Sequence, residues 1–236
     1  MPNSGSSDTR IRLSALNPQS VYQNSPIMSV LATTNGMLFP YTPTISYSQS
    51  VNYMDMQMVH SNTDYQAYTR TPSVKISLNG KFTVQNQQEG KYALAALHFL
   101  KTASKSHFGQ NDTKAGLPPP VLLLNGYGNF MFNRLRVILL SHTWNFDDTV
   151  DYISVDISGT NPLQTQIASG LSGLKITNQP TGLPGSGSVT GIVKLPALFS
   201  IQCELQVIQT PNRMRTVFNF DDFASGKLMT GDGGWI

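Results

Sequence analysis

Hydrophobic and polar positions alternate most cleanly over residues 74–84. Val74, Ile76, Leu78, Phe82 and Val84 take turns with Lys75, Ser77, Asn79, Lys81 and Thr83, and Gly80 holds the middle inward slot. A period of two predicts a strand with one buried and one wet face. A glycine at its centre predicts a bulge or a close backbone approach. Phe199, Ile201, Cys203, Leu205 and Val207 repeat the pattern against Ser200, Gln202, Glu204 and Gln206. Cys203 falls on the apolar side, so a buried, inert thiol is expected. Between these runs the period lengthens. Tyr92, Ala95, Ala96, Phe99, Leu100 and Ala103 recur at i, i+3, i+4 spacing, which predicts an amphipathic helix over 89–105. Glu89 near its start and Lys101 and Lys105 near its end suit the helix dipole, and Gly109 is a candidate stop.

The remaining pattern is shorter. Residues 1–26 are rich in Ser, Asn and Pro, and are expected to form a flexible arm that orders on a partner. Ile27–Ala32, then Asn35-Gly36, then Met37, Leu38 and Phe39 predict a hairpin, because the pair suits a turn with two positive φ angles. Pro118, Pro119 and Pro120 force an extended lead into Val121–Leu124. Further strands are expected at 130–132, 135–144 and 149–157, with Ile153, Val155 and Ile157 on one face. Residues 158–190 are dominated by Gly, Ser, Thr, Asn and Pro, and are read as an exposed, flexible insertion. Strand patterning resumes after it, so 27–228 reads as one domain, with 229–236 a short C-terminal tail. Eight to ten strands and one helix predict a mainly β fold, an antiparallel barrel or two-sheet sandwich with a packed helix.

Composition sharpens this picture. Only 29 of 236 residues are Asp, Glu, Lys or Arg, or 12%, about half the usual share. Hydrophobic residues make up 39%, with 11 Phe, 9 Tyr and 2 Trp, which excludes a disordered tail. The longest apolar runs are far below the ~20 residues of a membrane helix, and one cysteine excludes a disulfide scaffold. A net charge of +3 without a basic cluster argues against nucleic-acid recognition. The polar N-terminus has no secretory h-region, so residence in a cytoplasm is expected. Few charges on a folded chain imply an exterior largely covered by other protein.

The chemistry-bearing residues form no convincing active site. His60, His98, His107 and His142 make no metal-ligand pair, and Cys203 stands alone, so no metal or cofactor is expected. Gly185-Ser186-Gly187-Ser188 lies in linker-like sequence rather than at a strand-to-helix elbow. Asp147-Asp148, Asp151, Asp156 and Asp221-Asp222 read as solvated turn or strand-end acids rather than a glycosidase pair. Asn125-Gly126-Tyr127-Gly128 leads into a strand, not the helix that a phosphate loop requires. Met54, Met56 and Met58 alternate with Asp55 and Gln57, and are read as adaptable contact surface in preference to core.

Several stretches are more specific when taken in order. They are Leu38-Phe39-Pro40-Tyr41-Thr42-Pro43-Thr44-Ile45, Ser50-Val51-Asn52-Tyr53, His60 to Tyr68, Ala93 to Leu100, Leu117-Pro118-Pro119-Pro120-Val121-Leu122-Leu123 and Thr149-Val150-Asp151-Tyr152-Ile153. Together they resemble the baseplate tail-tube junction proteins, or tail tube initiators, of contractile-tailed bacteriophages. The resemblance covers 28–157 and resumes weakly over 195–228, where Pro211 to Gly226 fits the family's closing segment. The 160–190 stretch has no counterpart, and some family members continue past the point where this chain ends. Which of the two stacked junction rings it matches stays open.

The resemblance implies the tube-protein β-barrel shared with tail tubes and the type VI secretion tube. It implies a virion protein without enzymatic activity, assembled in the bacterial host cytoplasm. Six copies would form a ring on the baseplate hub, with a second junction ring and the tail-tube protein as stacking partners. Sheath and tape-measure proteins are further partners on this reading, DNA is transient cargo in the channel, and no membrane is involved. The proline-stiffened segments Phe39, Pro40, Tyr41, Thr42, Pro43 and Pro118, Pro119, Pro120 lose little entropy on docking. They join Met54, Met56 and Met58 as expected contact elements. The Lys75/Ser77/Asn79/Lys81/Thr83 face is the expected wet surface, with a channel lining as one use. Two rivals remain at this stage, the main tail-tube protein and a carbohydrate-binding or hydrolytic β-sandwich of a tail fibre or lysin.

Overall fold

A computed structural model describes residues 9–18, 21, 25–157, 191–230 and 233–236. The expected 158–190 insertion lies outside the described residues. Eleven strands and one long helix follow in order: β1 (Arg12–Ala15), β2 (Met37–Leu38), β3 (Thr44–Ser48), β4 (Asn52–Met56), β5 (Tyr65–Arg70), β6 (Lys75–Thr83), α1 (Gln87–Ala103), β7 (Leu122–Gly126), β8 (Phe132–Phe146), β9 (Tyr152–Asp156), β10 (Ile192–Pro196) and β11 (Leu198–Val207). The fold is mainly β, with a seven-stranded antiparallel sheet in the order β2-β1-β7-β8-β11-β6-β3. Two further two-stranded sheets pair β9 with β10 and β4 with β5.

The expected barrel is not formed within the chain. The outermost strands of the large sheet, β2 and β3, do not pair with each other, so the sheet stays open. The two edges differ. The Leu38 N–H donates to the Tyr92 hydroxyl at 2.7 Å, so α1 covers the two-residue edge of β2. Among the described residues no such cover lies over β3, where four of five residues are exposed.

The two alternating runs become β6 and β11, paired along nine residues with Phe199 opposite Phe82 and Cys203 opposite Leu78. Their apolar faces join α1, β1, β7, β8, Val155 of β9 and Leu195 of β10 in one buried cluster. An aromatic row crosses it. Phe39 meets Phe82 edge-on and Phe82 stacks on Phe199, each at 5.6 Å between ring centres.

The helix starts two residues earlier than the pattern implies, because Asn86 caps it. The Asn86 Oδ1 accepts the Glu89 N–H at 2.9 Å, and the Glu89 carboxylate accepts the Gln85 N–H at 2.9 Å. It ends at Ala103 with Ser104 as its C-cap, so Gly109 is not its stop.

Three expectations are corrected. The supposed arm over 1–26 contributes β1, where Leu13 and Ala15 are buried and pair with β7. Asn35 and Gly36 do adopt positive φ, at 52° and 124°. The turn they make joins a 3-10 segment (Ser29–Ala32) to β2 rather than two strands. The tail is also packed. After short helices at Pro211–Thr216, Phe220–Ala224 and Lys227–Thr230, the Gly234 N–H donates to the Asn133 carbonyl at 2.6 Å and Trp235 is buried beneath Arg213.

Candidate assembly surface

The β3–β6 pair is the root of a long hairpin. Ser48 pairs with Lys75 at the sheet, and the chain then runs outward so that Asn52 pairs with Arg70 in the β4–β5 extension. A bulge between Asn52 and Tyr53 interrupts the β4–β5 register. Beyond it, Met54 faces Ala67 and Met56 faces Tyr65, which puts Met54, Met56, Tyr65 and Ala67 on one face. The other face carries Tyr53 and Tyr68, edge-on at 6.0 Å, with Asp55 opposite Gln66. Met54, Met56 and Met58 are 57%, 50% and 61% exposed, and Tyr53, Tyr65, Tyr68 and Val59 are exposed with them. The methionine row is therefore surface and not core in the single chain. Tyr65 on the same face, and Tyr53 and Tyr68 on the other, are contact candidates that the methionine pattern does not mark. The signal was the shared parity of Met54 and Met56 with a facing Tyr-x-Ala.

The proline-rich segments divide differently. Pro40, Tyr41 and Thr42 are exposed, and the Tyr41 hydroxyl lies 3.2 Å from Thr83 Oγ1. Phe39 and Pro43 are buried within the chain and cannot supply a docking surface without unpacking the core. Pro118 and Pro119 are exposed and Pro120 is half-buried. The two segments flank different strands. Thr44 begins β3 at one edge of the sheet, whereas Pro120 leads towards β7, four places away in strand order.

The solvent face of the sheet is polar and almost uncharged. Ser200 lies between Lys81 and Asn145, Gln202 between Asn79 and Thr143, and Glu204 between Ser77 and Ser141. On β3, Thr44, Ser46 and Ser48 continue the rows. Glu204 is the one acid in these rows. The expected wet face is thus a four-strand surface in which hydroxyls and amides predominate, with Lys75, Lys81 and Glu204 as its charges.

The titratable groups of the described residues are spread over separate elements. His142 and Trp144 lie where β8 meets α1, with their rings 5.3 Å apart and Lys101 5.0 Å from the Trp144 ring centre. Burial, and then the neighbouring Lys101, lowers the pKa of His98; burial, Lys101 and Lys105 do the same for His142. His107 Nδ1 is 2.9 Å from Asp112 Oδ2. Asp112 is held below the usual carboxylate range first by the Lys114 backbone N–H and then by His107. Asp147 is lowered by hydrogen bonds from the Thr149 hydroxyl and backbone N–H, as expected of a turn acid. His60 sits at positive φ, 62°, in the exposed turn of the β4–β5 hairpin. Cys203 is fully buried, and burial pushes its thiol up to about 12. Among the described residues no three His, Cys, Asp or Glu side chains come together as metal ligands, and no helix is long and apolar enough to cross a membrane.

Compared with known proteins, the chain matches no protein-family model and no curated sequence.

Proposed function

We propose that the protein is a structural assembly subunit, a ring-forming junction protein at the base of a contractile phage tail tube. The observation that carries the proposal is the β4–β5 extension. A lone two-stranded hairpin is marginal in water, and this one exposes Tyr and Met side chains on both faces. Such a patch is stabilised when another protein surface covers it. The edge of β3, unpaired among the described residues, lies at its root and is available for strand addition by a neighbour. The polar, nearly uncharged sheet face suits a surface that stays wet beside a passing chain without binding it tightly.

The six-fold ring, the hub and tail-tube partners and the role of tube initiator rest on the sequence resemblance. Subunits that add β3 edges and hairpins head to tail form a heterologous interface, which either closes as a ring or runs on as a filament. Light scattering and negative-stain imaging of purified protein, alone and with tail-tube subunits, test the proposal. Six-fold rings that seed tube growth are expected. A monomer that neither forms rings nor seeds tubes, but binds glycans through its exposed tyrosines, would replace this reading with the carbohydrate-binding one.

A further inference from the structure

A cleft of about 460 Å³ opens beside β1 and the β7–β8 turn, away from the β4–β5 hairpin. Arg12 and Arg134 line it together with Ser14, Asn125, Asn129 and Asn133. Among the described residues no Asp or Glu lines it, and neither arginine is in an ion pair. The fold holds the two arginines in place. Arg12 pairs with Asn125 across β1 and β7, and the Asn125 side-chain oxygen accepts the Arg134 backbone N–H at 3.0 Å. That bond leaves the Asn125 amide NH2 to donate elsewhere. Arg134 sits at φ 51°, a left-handed conformation uncommon for a side-chain-bearing residue, at the start of β8. Among the described residues Arg12 Nε is buried and meets no acceptor.

We infer that this cleft binds a phosphomonoester. Two guanidiniums with no facing carboxylate give the lining a charge near +2, which a phosphomonoester matches with about −1.5 to −2 at neutral pH. A carboxylate neutralises only half of it. The forked donors of arginine suit the acceptor oxygens of a phosphate bidentately, and the asparagine amides add neutral donors. The inference does not depend on the assembly reading, since the cleft lies on separate elements of one chain.

The test is isothermal titration of the full chain with inorganic phosphate, a nucleoside monophosphate and acetate at constant ionic strength. Saturable binding of the first two, and none of acetate, is expected. Arg12→Gln and Arg134→Gln should each weaken binding by about tenfold or more, while Lys75→Gln, on β6 four places from β1 in strand order, should not. Arg134 is exposed and its side chain makes no hydrogen bond or ion pair among the described residues, so its variant remains informative if Arg12→Gln unfolds. No saturable phosphate binding, equal binding of acetate, or equal weakening by Lys75→Gln would overturn the inference.

Discussion

Phe39 packs the edge of its ring directly onto the backbone of Gly80. A Cβ on Gly80 would collide with Phe39 Cδ1 and stand 2.6 Å from Cε1. The glycine at the centre of β6 is therefore a seat for the ring that begins the Phe39–Phe82–Phe199 row. Gly80→Ala is expected to destabilise the chain by about 1–3 kcal/mol through overpacking, and Phe39→Ala by about 3–5 kcal/mol through the cavity it leaves. Since the added methyl fits the space that the lost ring vacates, the double variant should cost less than the sum. Urea unfolding of the four proteins measures all three quantities.

The Asn86–Glu89 cap sets where α1 begins, and α1 carries much of the buried cluster. Asn86→Ala should cost about 1 kcal/mol, because the Glu89 N–H loses its acceptor. Glu89→Ala should cost a similar amount by freeing the Gln85 N–H. Urea midpoints at unchanged slope are the expected signature.

Cys203 gives a test at alkaline pH. Its folded-state value of about 12 lies above the 9.0 of an exposed thiol. Below pH 9.0 both states hold the proton and the thiol adds no pH dependence. Above that, the unfolded state releases its proton while the folded state keeps it. Stability then falls with rising pH, by about 1.4 kcal/mol per unit, until the folded value is passed. Comparing wild type with Cys203→Ala between neutral pH and pH 10–11 isolates this loss from tyrosine and lysine titration. A decline of the same slope in both proteins would contradict the burial assigned to Cys203.

His98 and His142 act in the opposite direction. Both values lie below 6.5, so the folded state favours the neutral rings. Their contribution is complete above 6.5 and is lost as pH falls below it, where the unfolded state takes up protons first. Lys101→Gln removes a charge that acts on both rings, so both NMR titration midpoints should rise towards 6.5. Midpoints that do not move would assign the His98 shift to burial alone and the His142 shift to burial with Lys105.

The elements legible in the sequence are those whose period is long enough to outvote local accident. The alternation around Gly80 and Cys203 and the helical stripe from Tyr92 to Ala103 predict β6, β11 and α1 within about two residues. β1 was hidden because Arg-Leu-Ser-Ala offers only two inward positions in polar surroundings. β8 read as two strands because Asn133 and Arg134 interrupt the pattern at its start, while the register shift near Leu140 inverts its parity. The short helices after Val207 were missed although Thr210 and Asn219 are sound N-caps. Barrel closure was not legible at all, since it depends on which edges meet, not on the pattern within any strand. In the candidate surface, proline stiffness was a poor guide to exposure. Phe39 and Pro43 have the same local sequence signal as Tyr41, and only the Gly80 seat shows that they point inward.

The assembly proposal makes its sharpest prediction at the hairpin. Met54, Met56 and Tyr65 share one exposed face, so changing them to serine removes apolar surface without opening a cavity. Each substitution should alter the stability of the isolated chain by no more than about 0.5 kcal/mol. If neighbouring copies cover this face, the same substitutions should abolish ring formation while leaving the circular dichroism of the monomer unchanged. Assembly of the wild type, as proposed, would stabilise the folded state by mass action, so Tm should rise with protein concentration. That dependence should vanish in the Met54→Ser/Met56→Ser/Tyr65→Ser variant. Rings that persist in it would move the contact to the β3 edge, where replacing Ser46 by proline should then block strand addition. Scattering mass and melting temperature over a hundredfold range of concentration decide between the two.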